Sequence, residues 1–422
     1  MPASAPDTMF WMRQALHLLI VRGRTSEALA AHYGSRWLLP IIACGERVRA
    51  DPKAVRWTAD RGIDCDVAGQ WLARVSPDVT DWLMVLRATR GDRPSDAQLT
   101  WTPLETLASA PALIEYQGWA LRRTLERTAG REALPSVPGP FGRFEWIEDV
   151  KDWIRAVTAE QVCGRVDQFR STPHEVVLRA RTASGDVYFK GLAGRRAREP
   201  RLTRALAATA PAAFARTLAL EDRADGSAWW LTAGCAGGPA TDAQAVARAL
   251  ADVQRRLLRS TTPCRELPPV DLEAALRWGM CLMGEEGRTG RSREQVRSVL
   301  NAAVPHGWIP MDLHPTNVLV DAGGNVRFID LDESLFGPTP LPVALFATRI
   351  HDSSLYTAYE QSWGTTLTGV DWPAFEAVAR LVDAWLGWHR MELNVRRGEV
   401  HGVLEMAGTR VRARLLGSSQ RL

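Results

Sequence analysis

A short hairpin with an acid at each end governs what this 422-residue chain can become. Asp312-Leu313-His314-Pro315-Thr316-Asn317 runs into the apolar Val318-Leu319-Val320, a Gly323-Gly324 turn, and Arg327-Phe328-Ile329-Asp330. Two β-prone runs around paired glycines predict a tight antiparallel ladder. Its closure returns Asp330 to the side of Asn317. A carboxylate, an amide and a second carboxylate then share one end of a rigid element. Phosphate chemistry needs these groups. One carboxylate orients a hydroxyl and takes its proton, while an amide oxygen and another carboxylate hold Mg²⁺ on the phosphates. An isolated Asp and Asn would be ordinary loop residues, so the pattern rests on the Leu-His-Pro filling, the hairpin and the second acid together.

The spacing from Asp312 to Asn317 is that of the protein-kinase catalytic loop. The segment resembles the aminoglycoside phosphotransferase family, small-molecule kinases whose pattern reads roughly His-Gly-Asp-Leu-His-Pro-Gly-Asn, a hairpin, then Ile-Asp. Phe336-Gly337-Pro338 also matches that family's continuation. The resemblance extends over about residues 150–400 and is strongest at 308–338. It implies an α+β, two-lobed protein-kinase-like fold, ATP and Mg as cofactors, Asp312 as the catalytic base, and Asn317 and Asp330 as metal ligands. One departure stands out. The family's His-Gly, whose His braces the catalytic loop, is Pro310-Met311 here.

Lysine usage adds a second anchor. Of 52 lysines and arginines only Lys53, Lys151 and Lys190 are lysines. Lys190 closes the β-prone run Asp186-Val187-Tyr188-Phe189-Lys190, which follows Glu175-Val176-Val177-Leu178-Arg179 across a Ser184-Gly185 turn. A compact ammonium reaches between phosphates where a forked guanidinium does not. A nucleotide kinase places such a Lys on its third strand, with a Glu on the next helix. Glu199 opens that helix, and Glu221 is the competing residue. Trp229-Trp230-Leu231-Thr232 followed by Ala233-Gly234-Cys235 reads as strand into linker, so Thr232 and Gly234 are expected to offer backbone groups to the adenine edge.

A length of 422 residues suggests two or three domains. The net charge of +4 calls for neither nucleic acid nor an anionic membrane. Six cysteines at 44, 65, 163, 235, 264 and 281 include no Cys-x-x-Cys pair, which speaks against structural zinc and against a disulfide framework. The opening residues lack the form of a signal peptide, and the apolar run at Leu16–Val21 is too short to span a bilayer. A cytoplasmic location follows as the expectation.

Pro135, Pro138 and Pro140 with Gly139 and Gly142 mark a break near residue 145. The expected division is an α+β accessory domain over 1–145, a small nucleotide lobe over 146–236 and a mostly helical large lobe over 237–422. Before the break, strands are predicted at Trp37–Ile42, Gln70–Val75 and Trp82–Leu86, with a helix over about 111–128. This order faintly resembles Nudix domains, but the acidic Nudix box is absent, so no pyrophosphatase activity is carried over. After it come a helix at 146–159, strands at about 163–170, 175–181 and 186–191, a helix at 199–208, and strands at 217–220 and 228–232. Helices are then expected at 242–258, 272–283 and 293–303, and after the hairpin at about 340–362, 373–395 and 399–415.

His314 is read as a brace within the loop rather than a metal ligand. Asp332, Glu333, His351-Asp352 and Trp388-His389-Arg390 are further candidates on the acceptor side. The expected activity is ATP-dependent transfer of a γ-phosphate to the hydroxyl of a small-molecule acceptor. The alternative is a pseudokinase-like nucleotide-binding or scaffolding protein, to which Pro310-Met311 and the unread first region point.

Overall fold

The computed structural model describes residues 13–401 apart from 23–26, 45–49, 76–78, 92–93, 115–116, 119–120, 123–124, 126–140, 142–145, 172–174, 236, 261–266, 284–289, 322, 365–366, 368 and 397–399. The Pro-Gly break, most of the helix expected at 111–128 and nearly all of that at 399–415 lie outside these residues. The chain forms two compact units. One comprises Met1–Gly194, Glu221–Leu231 and Leu393–Met406; the other comprises Arg195–Leu220, Thr232–Glu392 and Ala407–Leu422.

The first unit opens with β1 (Arg13–Arg22), β2 (Glu27–Tyr33), β3 (Arg36–Leu38), β4 (Ile41–Cys44), helix α1 (Ala50–Ala59), β5 (Asp64–Val75), β6 (Val79–Arg90), β7 (Leu99–Pro103) and helix α2 (Leu104–Ser109). With the short strand Val400–His401 these strands make one eight-stranded sheet. Its centre is a parallel pair, β1 beside β6, with Leu16 opposite Trp82. Leu19, Val21, Leu83 and Val85 join one core with Leu104 and Leu107 of α2. Leu16, Leu18, Ile20, Met84 and Leu86 join another with Ala54 of α1. Both faces are covered, which explains why Leu16–Val21 is an unbroken apolar run rather than an alternating one. That run is a central strand. Pro40 divides the strand expected at 37–42 into β3 and β4.

Helix α3 (Trp146–Thr158) follows, then β8 (Cys163–Ser171), β9 (Glu175–Thr182), β10 (Gly185–Leu192), β11 (Thr217–Asp222) and β12 (Ala228–Ala233), in sheet order β11-β12-β10-β9-β8. The division between units passes through β11 and β12. Trp146, Ile147, Val150, Trp153 and Ile154 form the buried stripe of α3. Trp153 meets Phe189 and Trp229 edge-on at 5.8 and 5.6 Å. The indole N–H of Trp153 donates to Glu221 at 2.5 Å, and Arg223 pairs with the same carboxylate. Glu221 is thereby committed within this unit. The eight-stranded sheet is joined to the five-stranded one by Gln168, whose buried amide accepts from Val67 N–H at 2.6 Å and donates to Val67 C=O at 3.1 Å.

The second unit contains α4 (Glu199–Thr209), β13 (Gly237–Pro239), α5 (Ala243–Arg259), α6 (Leu272–Met283), α7 (Gly290–Asn301), β14 (His306–Pro310), β15 (Val318–Asp321), β16 (Val326–Phe328), β17 (Ser334–Pro338), α8 (Leu341–Ile350), α9 (Ser354–Trp363) and α10 (Trp372–Arg396). The single helix expected at 340–362 is two helices. His351 adopts the left-handed conformation at φ 57° and ends α8, and the Asp352 carboxylate accepts from Ser354 N–H to start α9. His351 and Asp352 are therefore at a break, not within a helix.

Two apolar cores meet at the antiparallel pair β14–β17. Trp308 joins the core of α5 and α9, while Ile309 and Leu335 join that of α6, α7, α8 and α10. Fully buried Gln254 of α5 donates to the carbonyls of Trp308 and Thr339 at 2.9 and 3.1 Å and accepts from Tyr359 O–H at 2.6 Å. The loop carrying Asp312 leaves the end of this doubly supported ladder.

Candidate active site

Chain reversal at Pro310 is set by the ladder, where Pro310 is opposite Ser334 and Met311 N–H donates to the Glu333 carbonyl at 3.2 Å. The Met311 side chain is fully buried. Asp312 follows in the turn, and Pro315–Asn317 forms one 3₁₀ turn. The His314 imidazole nitrogen accepts from Thr316 N–H at 3.3 Å. Burial, aided by the cation of Arg349 and opposed by Asp312, lowers the His314 imidazole from its ordinary value. His314 braces the loop as expected of it.

Asn317 Nδ2 donates to both the carbonyl and the Oδ2 of Asp312, at 3.0 Å each. With the amide nitrogen so committed, its oxygen points the other way. The hairpin then closes as expected: Val318 is opposite Phe328, and Ile329 N–H donates to the Asn317 carbonyl at 3.0 Å. Its tip is made by Asp321, which accepts from Gly323 N–H and Asn325 N–H, with Gly324 at φ 78°. Asp330, the next residue after Ile329, adopts the left-handed conformation, φ 61°.

Glu199 is fully buried at the start of α4, where Pro200 occupies a tolerated first-turn position. Its carboxylate accepts from Leu331 N–H at 3.1 Å, immediately after Asp330. Arg198 donates to the Asp332 carbonyl at 2.8 Å, and Arg196 lies 3.5 Å from the Asp332 carboxylate. The segment after Asp330 is thus fixed by the approach to α4. Glu333 is buried.

Lys190 stands half-buried on β10 of the first unit, opposite Val177. Thr232 is buried near the end of β12, and Gly234 is exposed in the linker. Beyond the linker, β13 lies against β15, with Gly237 opposite Asp321. A Cβ on Gly237 would fall 1.9 Å from the Val320 carbonyl oxygen, so only glycine permits the approach. Trp388 packs against Trp278 at 6.1 Å and His389 against Trp385 at 5.0 Å, all on or against α10.

Sequence reasoning missed Arg349 and Asp383. Arg349 Nη1 donates to the Leu313 carbonyl at 2.7 Å and lies 3.4 Å from Asp312 Oδ1. Its Nη2 donates to Asp383 at 2.8 Å. One signal was present: Arg349 is the only charged residue in α8, whose other residues are apolar except Thr348.

Among the described residues no group of three or more His, Cys, Asp or Glu is placed to hold a metal unaided. An amide oxygen at Asn317 and a carboxylate at Asp330 are instead a sparse, hard donor set. That suits Mg²⁺, which keeps water and phosphate oxygens in its shell. Among the described residues no helix is long and apolar enough to cross a membrane.

The model of the phosphotransferase enzyme family matches residues 168–378, half of the chain. Solved structures similar to this one include a macrolide 2'-phosphotransferase from Brachybacterium faecium, 16% identical, with 64% of this chain and 98% of that chain covered at a TM-score of 0.44. A choline kinase from Streptococcus pneumoniae is 10% identical over 66% of this chain and 100% of its own, at a TM-score of 0.46. A spectinomycin phosphotransferase in complex with ADP and spectinomycin is 10% identical over 65% of this chain and 98% of its own, at 0.44. Among curated proteins none matches in sequence. The fold is α+β, and over the matched residues it is protein-kinase-like.

Proposed function

We propose that this chain, which belongs to the phosphotransferase enzyme family, transfers the γ-phosphate of ATP to a hydroxyl of a small-molecule acceptor. The observation that carries the reading is the engagement of Asp312 by Asn317 at the foot of the hairpin that returns Asp330. Asp312 is the base. It accepts the acceptor's hydroxyl proton as the oxygen attacks phosphorus, and its carboxylate is already oriented for that. Asn317 has a double role, fixing Asp312 through Nδ2 and offering its oxygen to the metal. Asp330 supplies the anionic ligand, and Glu199 steadies the segment behind it through Leu331 N–H. Mg²⁺, when bound, neutralises charge on the phosphates. Lys190 takes the phosphates as a point charge, and the backbone around Thr232 and Gly234 takes the adenine edge.

On this reading residues 146–236 and 237–422 are the two lobes of the kinase-like fold, and 1–145 is an accessory domain. The near-neutral charge balance favours a small molecule over nucleic acid as acceptor. Cys163 and Cys235 are in no disulfide, which suits the cytoplasm. The test is a screen of hydroxyl compounds for transfer of label from γ-labelled ATP with and without Mg²⁺. A Mg²⁺-dependent labelled product supports the proposal. No product, no ATP hydrolysis and no nucleotide binding would replace it with the scaffolding alternative.

A further inference from the structure

We infer that Arg349, held in place by Asp383, is a positioning residue for Asp312; the inference rests on the phosphotransferase reading above. Arg349 occupies the last turn of α8, whose residues 341–347 are buried. A guanidinium there is costly to desolvate unless its donors are met. It meets them in a divided way. One nitrogen serves the Asp312 loop, at Leu313 O and Asp312 Oδ1, and the other serves Asp383 on α10. The three side chains are 19%, 27% and 28% exposed, so the triad is neither sealed nor freely solvated.

The division matters. An arginine facing a single carboxylate tends to bind it through both nitrogens in a parallel fork. Such a fork would occupy both oxygens of Asp312. Asp383 holds the second nitrogen, so Arg349 Nη1 meets Asp312 at Oδ1, while Asn317 Nδ2 donates to Oδ2. Asp312 is thereby oriented from both sides, by a cation at one oxygen and an amide at the other. The backbone is held equally, its own carbonyl by Asn317 and the next by Arg349. Displacement of a reacting group by about 1 Å can lower a rate by about 10²-fold, so a brace of this kind acts on turnover rather than on nucleotide affinity.

The experiment uses the full chain, MgATP, and water as the phosphate acceptor. Calorimetry gives nucleotide affinity and labelled phosphate release gives turnover, for the parent, Arg349→Ala, Arg349→Lys and Asp383→Asn. Expected are MgATP affinities within about threefold of the parent and turnover lowered by about 10 to 10²-fold in Arg349→Ala. Asp383→Asn should fall in the same direction. Added methylguanidine should restore part of the Arg349→Ala rate and leave the parent unchanged, which a merely structural role would not produce. If Arg349→Ala does not fold, Arg349→Lys and Asp383→Asn carry the comparison. Parent-like turnover in the folded variants overturns the inference alone, as does joint loss of affinity and rate without rescue. A parent that neither binds nor hydrolyses MgATP overturns the phosphotransferase reading and this inference with it.

Discussion

Asp330 joins function to backbone conformation. A non-glycine residue at φ 61° is under strain that Asn tolerates better than Ala, because a short polar side chain bonds locally. Asp330→Asn should therefore melt close to the parent, while Asp330→Ala should lose about 1 kcal/mol. Both should lose Mg²⁺-dependent nucleotide binding, because the anionic ligand is gone. Calorimetry against thermal melting separates the two effects, and unchanged MgATP affinity in either variant would count against Asp330 as a metal ligand. Glu160 offers a residue-scale test of stability. Hydrogen bonds from the Ser184 hydroxyl and N–H, across the β9–β10 turn, lower its carboxyl to about 2 from 4.5. A depressed carboxyl contributes stability above the unfolded-state value and loses it as pH falls through the folded one. The gap in stability between parent and Glu160→Gln should thus be constant above about pH 5 and shrink between 4.5 and 2.

At the scale of elements, the hairpin between Asp312 and Asp330 was legible because its information is local. Turn glycines, flanking β-prone runs and the two acids all lie within nineteen consecutive residues, 312–330. The strands at 163–171, 175–182 and 185–192 were legible for the same reason. Arg349 was not, because its partners are 37 and 34 residues away and no fixed spacing relates them. The break at His351 was hidden by apolar residues continuing on both sides with no Gly or Pro at 351–353. Two variants test how the elements are held. Gly237→Ala places a methyl carbon on Val320 O and should cost about 1–3 kcal/mol, with weakened nucleotide binding where β13 leaves the linker. Gln254→Ala removes the side-chain partner of the Trp308 carbonyl, leaves the Thr339 carbonyl to the Tyr359 hydroxyl at 2.8 Å, and should cost about 1–3 kcal/mol. Denaturant unfolding reads both, and a loss under about 0.5 kcal/mol in either would contradict the packing described.

Across the whole molecule, the accessory sheet was the least legible part. Its defining feature is a parallel pair between β1 and β6, more than fifty residues apart in sequence, and single-sequence patterns do not specify such a pairing. The same holds for Gln168, which reads as a strand residue yet completes the backbone bonding of Val67 from 101 residues away. Gln168→Leu should leave both buried groups of Val67 without a partner and cost about 2–4 kcal/mol by denaturant unfolding. Over 168–378, in contrast, the hairpin read from the sequence and the family match agree. The most direct test of the proposed chemistry separates binding from turnover at Asp312. On one preparation each of parent and Asp312→Asn, MgATP affinity and phosphate transfer should be measured together. Asn keeps the shape and an acceptor oxygen but cannot take the proton. Affinity should stay within a few-fold while transfer falls by about 10²–10⁴-fold. Equal transfer rates in the two proteins would contradict the account.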